Sequence, residues 1–257
     1  MAGRNDPVDQ HHERFRTEAQ AMSDAAAAGP IRSERLTRHF LVVLFVAAAL
    51  GLMLRLRIIY HYIHAKYTSG LLLDSLRNIL MTSFFVIFVV FIFIFARFLY
   101  WKRVRRLGPD GRPLKSLAVL ATAMTFVNLV SENIAIYRLN LASYSLLFES
   151  FCLYLSVTFV FLYWYWHVDQ PPPHLASAPY GIVFPEEMIE NIHNDVSRWK
   201  PMFMDYMYFT ILSSNCFGPP EGHLLVGMPI KRLHVLHSVC MISVFIVILA
   251  RAVNTLH

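Results

Sequence analysis

His234 and His237 stand three residues apart in a stretch that reads as helix, so their imidazoles share one face. Joined by a buried acid, two such histidines would bind a metal ion or pass a proton. Glu132, inside an apolar run, is the acid on offer, although spacing supplies no third metal ligand and no metal site is assigned. A different chemistry is written in the polar turn Asn215, Cys216, Phe217, Gly218, Pro219, Pro220 and Glu221, which offers backbone carbonyls and one acid. Rings of such oxygens, repeated around an axis, are how pores choose ions. His61 and His64 also share a helix face, but at the end of an apolar run, and read as interfacial; His11-His12 reads as tail composition. No phosphate-binding glycine loop, His-Glu-x-x-His pair or nucleophile elbow occurs. The chain is therefore not read as an enzyme, and no cofactor is expected.

The elements that must position these residues are membrane helices. Of the 257 residues 56% are apolar, and no polar stretch is long enough to enclose the core of a soluble domain. The net charge of +6 gathers beside the apolar runs, which suits anionic headgroups and topology control rather than nucleic acid. Cys152, Cys216 and Cys240 have no metal spacing and make no disulfide framework.

Residues 1–35 read as a disordered polar tail, with no cleaved signal peptide. Residues 36–166 read as a four-span bundle with spans near 40–63, 78–101, 117–137 and 144–166. Arg55 and Arg57 in the first span are expected to snorkel to an interface. Glu132 in the third is expected to pair at an interface with Arg138, and Tyr163-Trp164-Tyr165-Trp166 to form an interfacial girdle. The connection Lys102–Lys115 is the most basic, so it should be cytoplasmic. Its arginines are not spaced every third residue within a span, as a voltage sensor would need. Residues 167–198 read as an acidic surface linker with a short helix after Pro185. Residues 199–257 then hold a half-length apolar helix opened by Pro201, the polar turn, and a full-length helix over 233–250.

This last unit resembles the pore module of potassium channels, in which a pore helix with an aromatic pair leads to a Thr-Thr-Val-Gly-Tyr-Gly-Asp filter and a lining helix. Laying Tyr208-Phe209 on the aromatic pair sets Gly218 on the first filter glycine and Glu221 on the aspartate, while Asn215, Cys216, Pro219 and Pro220 depart. A narrower resemblance is to uncharacterised bacterial integral membrane proteins with a C-terminal channel-like segment. Asp205, Tyr208, Phe209, Lys231, Arg232, Leu233, Leu236, His237, Val253 and Asn254 match that pattern over about the last quarter of the chain. The resemblance implies an all-α, polytopic fold of four spans followed by pore helix, turn and inner helix. It also implies a multi-pass place in the cell membrane, a bacterial inner membrane, and lipids and monovalent cations as partners. Channels of this kind need four copies to enclose an axis, which implies a homo-oligomer, a tetramer if a pore.

The prolines set a limit on that implication. A potassium filter stacks carbonyls in dihedrals that glycine permits, whereas Pro219 and Pro220 fix φ near −65° and lack an N–H. Three readings follow: a weakly selective cation pore with Glu221 or Asn215 as a side-chain ring; a non-conducting scaffold or sensor on a channel fold; or a metal- or proton-handling membrane enzyme using His234, His237 and Glu132. Topology adds a conflict. Potassium-channel pore loops enter from outside, which here would put the basic Lys102–Lys115 connection outside too. Either the module is inverted, or residues 202–216 cross fully and there are six crossings; the basic connection favours the second.

Overall fold

The computed structural model describes residues 36–60, 71–105, 111–135, 143–169, 181–188, 200–216 and 218–254. In chain order they form α1 (Leu36–Tyr60), α2 (Leu71–Arg105), α3 (Gly111–Ala135), α4 (Ser143–Val168), β1 (Gly181–Val183), α5 (Pro185–Met188), α6 (Phe203–Cys216), β2 (Leu224–Val226) and α7 (Met228–Asn254). Helices α1, α2, α3, α4 and α7 are long and apolar enough to cross a membrane, as befits a multi-pass membrane protein. They fall where the apolar runs placed them, with ends displaced by a few residues. The tail 1–35, His61, His64, Arg138 and Phe217 lie outside the described residues.

Helix α6 is shorter than the five long helices. Its 14 residues rise about 21 Å, short of the roughly 30 Å hydrocarbon core, so the option of a sixth crossing through 202–216 is not met. Its course follows from its partners. Near its start the Tyr206 hydroxyl donates to Asp169, just past the end of α4, while at its deep end Ser214 and Asn215 meet Thr158 and Tyr154 of α4. Helix α6 therefore runs antiparallel to α4. Tyr154 lies fourteen positions before Val168, so Asn215 sits about 21 Å below the face on which α4 ends. That face is called the near face below, and the other the far face. The chain then climbs back, since His223 packs on Phe209 and Phe184, and β2 pairs with β1 at the near face.

Helix α4 is the centre of the bundle, with α3, α6 and α7 against it. Lipid is as apolar as leucine, so helices associate through close packing and polar contacts rather than hydrophobic force. Accordingly α4 buries Ser150, Ser156 and Thr158 among its aromatic side chains, and 61% of its apolar window is inside the protein, against 11% for α2. Half of the girdle expected at Tyr163–Trp166 turns inward. Tyr163 and Tyr165 are buried, Phe40 of α1 stacks on Trp166 at 4.4 Å between centroids, and Trp164 Nε1 donates to Thr122 Oγ1 at 2.8 Å. Four consecutive aromatics wrap a helix, so an interior α4 must turn half of them inward.

A purely helical reading misses one piece: β1 and β2 form a two-stranded antiparallel sheet with Gly181 opposite Val226 and Val183 opposite Leu224. Three-residue strands leave no alternation to detect. Within the stretch read as a surface linker, Ile182 and Phe184 are buried, while Pro185 opens the one-turn helix α5 as expected. The clamp that fixes this cap is Asp169, whose carboxylate accepts the Ile182 N–H and the Tyr206 hydroxyl. Burial pushes the Asp169 carboxyl above the usual range, and these two hydrogen bonds offset part of that rise. Gly181 makes the clamp possible: its φ is +92°, and a Cβ there would collide with Asp169 Oδ1. Gly181→Ala should therefore lower stability in detergent by about 1–3 kcal/mol, read as a drop in thermal midpoint. An unchanged midpoint would show that the cap does not hold α6.

Candidate functional site

Most of the turn residues lie at or near the surface, and two of the α6 residues before them serve the fold. Asp205, three residues after the N-cap Met202, returns its Oδ2 to the Met202 N–H at 2.6 Å, half of a capping box. The helix thus starts at Phe203 rather than at Pro201. Phe209 is fully buried against Tyr165, Phe184, His223 and His234, whereas Tyr208, its partner in the aromatic pair, is 58% exposed. At the deep end Asn215 and Cys216 are exposed, with Asn215 Oδ1 accepting the Tyr154 hydroxyl at 3.0 Å. Gly218 has room for a Cβ, whose nearest neighbour would be 3.9 Å away. The positive φ values of this region fall instead on Gly222 and Gly227, so Gly218 has no glycine-specific backbone role. Pro219 is exposed and Pro220 buried, its carbonyl accepting the His223 N–H at 3.1 Å. Glu221 is exposed beside Gly222, where a Cβ would meet Pro185, and so lies at the mouth of the turn.

The densest polar chemistry is behind this turn, between α4, α6 and α7. The Tyr165 hydroxyl is 3.0 Å from Nδ1 of both His234 and His237. His237 Nε2 is 3.1 Å from Ser214 Oγ, which is 3.3 Å from Thr158 Oγ1. Phe161 stacks on the His237 ring at 4.4 Å, and Tyr165, His237 and Ser214 are fully buried.

Counting protons orders this cluster. Ser214 donates to Thr210 O at 2.8 Å and Thr158 to Tyr154 O at 2.9 Å, so neither hydroxyl has a proton left for an imidazole. His237 Nε2 then carries the proton that meets Ser214 Oγ, and its Nδ1 accepts from Tyr165. Because that hydroxyl has a single proton, His234 Nδ1 must donate to it. His234 Nε2 is left as a bare lone pair, buried and without a hydrogen-bond partner among the described residues. The donors run head to tail, an arrangement in which each bond polarises the next.

No family model, curated protein or solved structure matches the chain. The site must be read from its own geometry.

Glu132 does not join the two histidines. It lies two positions from the far-face end of the α3 span, buried beside Arg55 of α1. Arg55 does not snorkel: it is 1% exposed, donates to Ser131 Oγ at 3.0 Å and sits 4.9 Å over the Phe84 ring. Asn128, one turn from Ser131 and Glu132, donates to the Gly51 carbonyl at 2.9 Å and fixes α1 on α3. Arg57 Nε approaches the buried Glu149 of α4 at 3.6 Å. Arg55 stays inside on Ser131 and Phe84 with the charge of Glu132 acting on it, whereas the Arg57 side chain, 31% exposed, meets Glu149 from the edge of the bundle. Among the described residues no three His, Cys, Asp or Glu side chains are grouped to hold a metal.

Sequence reasoning found His234, His237 and Glu132 but missed Tyr165, Ser214, Thr158 and Arg55. Tyr165 was hidden in an aromatic run, and Ser214 looked like part of a polar helix end. A polar residue every seven along α4, Thr158 and Tyr165, was the available signal.

Proposed function

We propose that this is a channel-like membrane protein in which α6, the turn and α7 line a water-filled path formed between copies of the chain. One observation carries the reading. The non-helical backbone at Gly218–Pro220 lies between the deep end of α6 and the near face, and Pro219 is exposed. Irregular backbone at membrane depth persists only against protein or water, so something other than lipid must cover it. Exposed Asn215, at the deep end, and Glu221, at the mouth, are polar groups suited to a wet path. A homotetramer, as in the channels the module resembles, would enclose such an axis.

With five crossings, the reading supported by the shortness of α6, the module is inverted. Two spans, α3 and α4, separate the basic Lys102–Lys115 connection from the α6 segment, so both lie on one face. By the positive-inside rule that face is cytoplasmic, and α6 enters from it. The permeating ions are monovalent cations, drawn by a ring of Glu221 carboxylates and poorly distinguished because two prolines cannot stack carbonyls.

The second reading, a non-conducting scaffold or sensor, draws on the same prolines: they remove two N–H donors from the irregular stretch and make it easier to bury dry. Reconstituted flux separates the two. Na⁺ and K⁺ should pass at similar rates, and Glu221→Gln should lower both several-fold while leaving the folded fraction unchanged. A strong K⁺ preference would refute the proline argument, and no current under any gradient would leave the scaffold.

A further inference from the structure

We propose that His234, Tyr165, His237 and Ser214 form a proton relay from the near-face half of α7 to the deep end of α6. The inference rests on the reading that water reaches that deep end, beside exposed Asn215. The residues come from three helices and touch in sequence, at 3.0, 3.0 and 3.1 Å. Their order is already directional, and it begins at the bare Nε2 of His234, a buried base with no hydrogen-bond partner among the described residues. An orphaned acceptor beside a continuous donor chain costs stability unless it is used.

The transfer balances. A proton binds His234 Nε2, the Nδ1 proton of that ring passes to Tyr165, and the tyrosine's own proton passes to His237 Nδ1. The Nε2 proton of His237 moves to Ser214 Oγ, and the original Ser214 proton, turned off the Thr210 carbonyl, leaves past exposed Asn215 to water at the deep end. One proton enters and one leaves, with every heavy atom and every electron where it began. Rotation of the two hydroxyls and a tautomer change in the two rings reset the chain. Of other groups that titrate nearby, His223 reaches the pair only through Phe209, Cys240 lies one turn beyond His237 on α7, and Lys231 lies one turn before His234 but is exposed. The relay uses neither Glu132 nor a metal, which sets it apart from an enzyme built on the two histidines.

Purified full-length protein in phosphatidylethanolamine–phosphatidylglycerol vesicles, with an enclosed pH dye and an imposed membrane potential, tests the relay. The wild type should take up protons, and Tyr165→Phe, which keeps the ring and removes one oxygen, should slow uptake by about a hundredfold, the scale on which a positioned proton-transfer group acts. Ser213→Ala, which removes a buried hydroxyl outside the chain, should change nothing. If Tyr165→Phe fails to fold, His234→Gln serves instead, since its amide can donate to Tyr165 but cannot relay. Equal uptake with and without the relay groups overturns the proposal. Na⁺ and K⁺ flux without proton uptake overturns it too, while sparing the cation path. Proton uptake that needs Tyr165, without any Na⁺ or K⁺ flux, upholds the relay and removes the cation path.

Discussion

Replacing Arg55 by leucine should destabilise the protein by about 3–5 kcal/mol, the scale on which a buried charge suffers when an opposite charge near it is removed. Glu132 is 1% exposed and its charge acts on the Arg55 guanidinium, so removing the arginine takes a favourable charge away from a carboxylate inside the bundle. Ser131 Oγ loses its donor at 3.0 Å, and Phe84 loses the cation above its ring. Converting Glu132 to leucine as well should recover most of the loss, because well-packed apolar residues often replace a buried pair at little cost. Reversible unfolding of the two single variants and the double variant in micelles measures the coupling. Additive losses would mean that Arg55 and Glu132 are neighbours without being partners.

Phe209→Ala should cost a similar amount, about 3–5 kcal/mol, because a fully buried ring leaves a cavity that its surroundings only partly fill. The ring is where three bodies meet: Tyr165 of α4, Phe184 and His223 of the cap, and His234 of α7. Emptying it should loosen α6 from all three and bring down the thermal midpoint. Tyr208→Ala on the adjacent position supplies the contrast, with a change within about 0.5 kcal/mol, as for an exposed side chain. A large loss at Tyr208 would show that this face of α6 is covered in the assembled protein, and equal small losses at both would contradict the packing around Phe209.

The sequence shows the long helices plainly and the contacts between them poorly. Apolar length is a local property, so α1, α2, α3, α4 and α7 could be read off directly; the run after Met202 was visibly short, yet the charge of the Lys102–Lys115 connection drew the reading towards a full crossing there. Partnership is not local. Arg55 looks like a snorkelling residue until α3 brings Ser131 and Glu132 to it, 76 or more positions away. The two histidines were visible by their spacing, but the group that joins them is Tyr165, some 70 residues earlier in the chain. The turn misled in its own way. Gly218 drew attention through an alignment of letters, whereas the backbone needs its glycines at 222 and 227, where φ is +80° and +96°.

The uneven burial of the five long helices has a consequence for how the chain is made. The span buried least, α2, is also the most apolar, and the two buried most, α3 and α4, are the least apolar. A translocon releases a segment into lipid according to that segment's own apolarity. Helix α2 can leave as soon as it is synthesised, and α7 nearly so. Helix α3 carries Asn128, Ser131 and Glu132, and α4 carries Glu149, Ser156 and Thr158, so each is poorly suited to lipid by itself. Both should linger at the insertion site until α1 supplies Arg55 and Arg57. On this account the first helix acts during biogenesis as a retained template for the third and fourth, and the half-length helix settles only after α7 has closed over it.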